Sequence, residues 1–180
     1  MKKKILILGG LGFIGYHLSK ALSLNNENQI TIVDDNSRGK LDDYASELIK
    51  KKNVNFLRLN LTKFVSYQKL QSNYDHVYLL ASIVGVNNTL SFPLKVIEAN
   101  SYIILNTLKW IKSKKIKKFM FASTSETYAG TIDSFKYKIP TPENIPLAIS
   151  DIGHPRYTYA ITKMLGESAF LNLKNNKNLK

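Results

Sequence analysis

Cysteine is absent from the chain, which excludes disulfides, thiol nucleophiles and any cysteine-ligated metal or cluster. Acidic side chains are scarce: 13 Asp and Glu stand against 26 Lys and Arg, a formal charge of +13. Long apolar runs are missing too, and no stretch approaches the roughly 20 residues of a membrane span. Met1 and three lysines before Ile5 imitate the start of a signal peptide, but glycines break the apolar run at once and no cleavage site follows. A cytoplasmic location is therefore expected, with no membrane partner.

The basic excess has two readings, a nucleic-acid surface or a lysine-rich composition. The runs Lys2–Lys4, Lys50–Lys52 and Lys112–Lys118 each sit beside a predicted strand entry or helix exit, where lysine is an ordinary solvated end. No aromatic-interleaved basic motif accompanies them, so nucleic acid is not expected as a partner. A positive field could still draw in anionic nucleotides. What is present suits a single globular domain: 180 residues, 44% hydrophobic and 22% charged.

The chain is organised around its first stretch. Ile5–Leu8 is all apolar, as in a strand buried on both faces of a parallel sheet. Gly9, Gly12 and Gly15 follow at three-residue spacing, and Ile14, Leu18, Ala21 and Leu22 then predict one apolar helix face. In a dinucleotide fold the first glycine permits a tight turn and the second admits backbone close to a pyrophosphate. The third lets the helix lie against the strand, and the helix N-terminus offers free N–H groups to phosphates. The competing reading is an ordinary glycine turn.

Further strands are predicted at 29–33, 54–59, 76–81 and 118–122, with helices at 41–51, 93–113 and from about 155. Residues 131–153 carry Pro140, Pro142 and Pro146 and predict a long loop. The 93–113 helix is given the apolar stripe Leu94, Ile97, Ile104, Leu105, Leu108 and Ile111. Asp34 ends the second strand 19 residues after Gly15, near the offset at which a carboxylate grips the adenosine ribose. That favours NAD, while Arg38 keeps NADP open. Asp34, Asp35 and Asn36 also have the composition of a plain turn. Ala81 and Ser82 end the fourth strand in small side chains over which a cofactor could lie.

Tyr159 and Lys163 stand four apart on the last predicted helix and share a face. A phenol is a poor base near neutrality, and an adjacent ammonium would lower its pKa. The polar run Ser123–Glu126 follows the fifth strand, where Thr124 or Ser125 could hold a substrate oxygen or simply cap a helix. Tyr16 and Lys20 repeat the same spacing directly after the glycine turn and are read as helix surface.

Four motifs in order, Gly9–Gly15, Asp34, Ala122–Tyr128 and Tyr159–Lys163, resemble the extended short-chain dehydrogenase/reductase family. The likeness is to its NAD-dependent nucleotide-sugar epimerases and dehydratases. Ser123–Tyr128 and Pro155-Arg156 are most similar to UDP-glucuronate decarboxylases. The resemblance implies a doubly wound parallel α/β sheet of order 3-2-1-4-5, and a homodimer. It implies a UDP-sugar substrate transformed through a keto intermediate.

By the same resemblance Tyr159 is the base, Lys163 holds the nicotinamide ribose and tunes the tyrosine, and Thr124 binds the reacting hydroxyl, with Ser125 beside it as the alternative catalytic hydroxyl. Glu126 works beside the substrate. Phe13 and Ile14 offer amides to the pyrophosphate; Asp34, Asp35, Asn36, Asn60 and Leu61 flank the adenosine. Leu80, Ala81 and Ser82 pass beneath the cofactor, and Asn100 supports the lysine through water. Asn60 departs from the family, which has Asp there to hold the adenine amine. Family members also continue into a sixth strand and a substrate domain. Residues 1–180 are therefore expected to be an NAD-binding Rossmann domain, truncated relative to the family and possessing either catalytic function or only a sensor's NAD-binding role.

Overall fold

The computed structural model describes residues 2–38 and 41–175; positions 1 and 180, the predicted domain limits, lie outside them. Five strands are described: β1 (Lys4–Leu8), β2 (Gln29–Asp34), β3 (Val54–Arg58), β4 (His76–Leu79) and β5 (Lys118–Phe121). They pair in parallel in the order β3-β2-β1-β4-β5, as the sequence leads one to expect. The apolar run of β1 is divided by the twofold repeat of a strand. Leu6 and Leu8 pack on one face with Val33, Val77, Leu79 and Ile111, while Ile5 and Ile7 pack on the other with Ile30, Ile32 and Leu48.

Seven helices are described: α1 (Phe13–Ser23), α2 (Asp43–Ile49), α3 (Phe64–Tyr67), α4 (Val86–Ser91), α5 (Pro93–Ile111), α6 (Ala129–Phe135) and α7 (Tyr157–Leu171). Two of them present faces other than the expected ones. In α1 the buried positions are Gly15, Ser19 and Ser23, with Ile14 exposed. Small side chains let this helix approach the sheet more closely than a leucine stripe would.

In α5 the inward face runs through Val96, Asn100, Ile103, Ile104, Thr107, Trp110 and Ile111, so Ile104 and Ile111 of the expected stripe are buried while Leu94 and Leu105 face outward. An apolar stripe captures only part of this face because two of its members are polar and internally paired. Thr107 Oγ1 lies 2.8 Å from the Tyr67 hydroxyl, and Asn100 is bonded to Ile83. The short α3 and α4 carry too few residues for a periodic signal.

The predicted loop 131–153 begins inside α6 instead. Thr131 is fully buried there and organises the chain that returns past it. Its hydroxyl donates to Pro146 O at 2.7 Å and accepts from Ala148 N at 2.9 Å.

The register sets the site. Leu8 pairs with Val33 and Leu79, Val33 with Leu57, and Leu79 with Phe121. Gly9, Leu80 and Ala122, which leave their strands next, and Asp34, the last residue of β2, therefore stand in one row along the carboxyl edge. In an open parallel sheet with strand order reversing at β1, that edge is where ligands collect.

Candidate active site and dinucleotide cleft

Gly9 has φ +84°, and a Cβ added to it would lie 2.5 Å from Ala81 N. A Cβ at Gly15 would lie 2.1 Å from Gly9 O. Both glycines are thus demanded by the protein's own packing. Gly12 is different: its φ is −66°, and a Cβ there would meet only Gly9 O, at 3.6 Å. No described residue requires glycine at this position, so the space before it suits something brought from outside. Gly12 opens α1 without a side-chain cap, and Phe13 and Ile14 expose the first turn, whose amides lack intrahelical acceptors. This geometry fits a pyrophosphate.

Asp34 is tied to that turn. Its Oδ2 accepts from Leu11 N and its Oδ1 from Asn36 N, each at 3.0 Å. Asp35 Oδ1 accepts from Ser37 N at 2.9 Å, and Asn36 adopts the left-handed conformation at φ 57°. The turn chemistry expected at these residues is thus realised by the chain's own amides. Asn60 is exposed after β3, whereas the Leu61 side chain belongs to the core and leaves only backbone to the cleft.

On the other side of β1, Leu80 N and Ala81 N both donate to Leu8 O at 2.8 Å. Asn100 makes its direct hydrogen bonds to Ile83. Its Oδ1 accepts from Ile83 N at 2.7 Å and its Nδ2 donates to Ile83 O at 3.1 Å, which fixes the chain just past Ser82.

Tyr159 comes to this edge from α7, half-buried beside Thr124 and Ser82. Ser82 follows Ala81, whose backbone abuts Gly9, so the phenol borders the segment that packs against the glycine turn. Burial pushes the phenol above its ordinary value of 10.0, and the Thr124 and Ser82 hydroxyls oppose that rise. Glu126 adds to the rise, while Arg38 pulls weakly the other way. Ser82 Oγ is buried beside the phenol and has no well-formed hydrogen bond among the described residues.

The expected acidification of Tyr159 by Lys163 is not realised by the chain's own groups. The Lys163 ammonium donates to Ala122 O at 2.8 Å and sits 5.5 Å from the Tyr159 ring centroid. Burial lowers Lys163 itself from 10.5 to about 8. The matching pair Tyr16 and Lys20 lies elsewhere: Lys20 is exposed and rests 5.8 Å over the Tyr16 ring.

Thr124 acts as the cap that its residue type allows. Its hydroxyl accepts from Glu126 N at 3.3 Å as the cap of a short 3-10 turn, Ser125–Tyr128, and it also faces the phenol. Ser125 is exposed at the start of that turn. Glu126 is gripped by both arms of Arg156, Nε to Oε2 and Nη2 to Oε1, each at 3.0 Å. Spacing could not foretell this pair, because the two residues are joined only by the docking of α7. The bond from Ser123 to Glu167 arises in the same way.

The sequence profile of the NAD dependent epimerase/dehydratase family matches residues 5–180. A UDP-N-acetyl-alpha-D-glucosaminuronate decarboxylase of Bacillus cytotoxicus is 35% identical over 95% of this chain and 50% of its own length. A UDP-glucuronate 4-epimerase of Thermodesulfobacterium geofontis is 29% identical over 89% of this chain and 52% of its own length. Among solved structures, the UDP-N-acetylglucosamine 4-epimerase of Methanobrevibacter ruminantium superposes with a TM-score of 0.79 at 26% identity, covering 99% of this chain and 53% of that one. The chain spans about half the length of these relatives. With its parallel sheet and its glycine turn at the switch point, the chain belongs to the NAD dependent epimerase/dehydratase family.

Proposed function

We propose that this chain forms the cofactor half of an enzyme that oxidises a hydroxyl of a UDP-linked sugar and completes an epimerisation, dehydration or decarboxylation on the keto-sugar. The observation that carries the proposal is the grouping of Tyr159, Thr124 and Ser82 at the mouth of the glycine-turn cleft. NAD, when bound, supplies the hydride acceptor. Thr124 and Ser82 hold the sugar hydroxyl against the phenol, and Tyr159 takes its proton. Lys163, anchored on Ala122 O, fixes the α7 end of the site and offers its remaining N–H bonds to a ribose.

Decarboxylation is the finer reading. It is supported by the Glu126–Arg156 pair beside the base and by the decarboxylase among the relatives. A homodimer is supported by the apolar side chains that α5 and α7 leave exposed, Leu94, Tyr102, Leu105 and Leu165. A non-catalytic sensor would have no use for an assembled base, so that reading is not favoured.

The test is Tyr159→Phe, read by calorimetric NAD binding and by NADH absorbance with UDP-glucuronate and UDP-N-acetylglucosamine. The NAD affinity should stay within about twofold while hydride transfer falls by roughly 10²–10⁴. Equal losses in binding and rate would contradict the assignment.

A further inference from the structure

The segment after β3 has spent its acceptors on itself. Asn60 Oδ1 accepts from Thr62 N at 2.9 Å and from Thr62 Oγ1 at 2.7 Å. The backbone oxygen of Asn60 accepts from Ser66 Oγ at 2.6 Å and from Lys63 N at 3.2 Å. The carbonyls of Leu61 and Thr62 both accept from Asn106 Nδ2, at 3.2 and 2.9 Å. Because a backbone N–H can only donate, the bond from Thr62 N fixes which end of the Asn60 amide is oxygen. Its Nδ2 is left exposed, with no acceptor among the described residues.

This segment borders the adenosine end of the cleft. In a fold of this order the pyrophosphate lies at the N-terminus of α1 and the ribose on the carboxylate that ends β2. The base therefore continues outward, past Asp34, to the strand beyond. That strand is β3, where Asp34 pairs with Arg58 and Leu59 N donates to Asp34 O at 3.1 Å. Asn60 is the next residue. The nearby Asp35 is drawn back into its own turn by Ser37 N.

We infer that Asn60 presents a donor-only edge to the nucleobase of the dinucleotide, so that the chain does not read the 6-amino group of adenine and takes a 6-oxopurine dinucleotide equally well. The inference rests on the reading that this chain binds NAD. An amide N–H can donate to N1 of adenine or to the 6-oxo group of hypoxanthine. It cannot accept from the adenine amine, whereas a carboxylate could, and a carboxylate would repel the 6-oxo group.

The test is calorimetric titration of the 180-residue chain with NAD and with nicotinamide hypoxanthine dinucleotide, for the wild type and Asn60→Asp. The substitution keeps one oxygen for Thr62 and supplies a second as acceptor. The wild type should bind the two dinucleotides within about threefold of each other, and the variant should prefer NAD by about tenfold or more. A wild-type preference for NAD of tenfold, or a ratio unchanged by the substitution, would overturn the inference while leaving the cofactor reading intact. Binding of neither dinucleotide would overturn the cofactor reading and this inference with it.

Discussion

Asn100 holds Ile83 by both polar atoms of its amide, accepting from the backbone N–H at 2.7 Å and donating to the carbonyl at 3.1 Å. The residue is 2% exposed, so water cannot replace either bond. The two contacts join the middle of α5 to the segment leaving β4, the segment that carries Ser82 to the phenol.

Asn100→Ala should therefore act first on stability. It strands a backbone donor and acceptor in the interior, at a cost of about 2–4 kcal/mol. Urea unfolding measures this. A cofactor-contacting asparagine would instead lose NAD affinity with its stability unchanged.

Lys163 gives the chain a dependence on alkaline pH. Its folded value, about 8, lies below its ordinary 10.5, so the unfolded chain binds the extra proton between the two. Stability contributed by this group is lost as pH falls toward 8 and recovered as pH rises through 10.5, over a range of about 3 kcal/mol. Compared with Lys163→Met, the wild type should gain stability in urea unfolding between pH 8 and pH 10. Parallel pH profiles would show that the ammonium is not buried as described. Tyr67, which burial also pushes up, opposes the gain above pH 10 but is common to both proteins.

Much of this site is legible in the sequence because its parts are local. The run Ile5–Leu8, the glycine triplet and Asp34 at the end of β2 each carry their meaning within a few residues, and the strand order follows from them. Relationships between distant segments are not legible. No motif marks the two bonds between Asn100 and Ile83, and none marks the pair that Thr62 makes with the Asn60 oxygen. The face of α5 is legible only in part for a related reason. Ile104 and Ile111 are buried as the apolar stripe predicts, but Asn100 and Thr107 are polar residues whose buried partners no periodicity reveals.

The central claim is that a dinucleotide lies across the strand ends with its phosphates at the first turn of α1. Gly12 tests it most directly, because an added methyl there meets only Gly9 O at 3.6 Å, whereas at Gly15 it would fall 2.1 Å from the same oxygen. Gly15→Ala should destabilise the fold by about 2 kcal/mol or more, or prevent folding. Gly12→Ala should leave the unfolding midpoint nearly unchanged. The decisive measurement is calorimetric NAD binding by Gly12→Ala: a loss of about tenfold or more at unchanged stability is expected, and wild-type affinity would contradict the account.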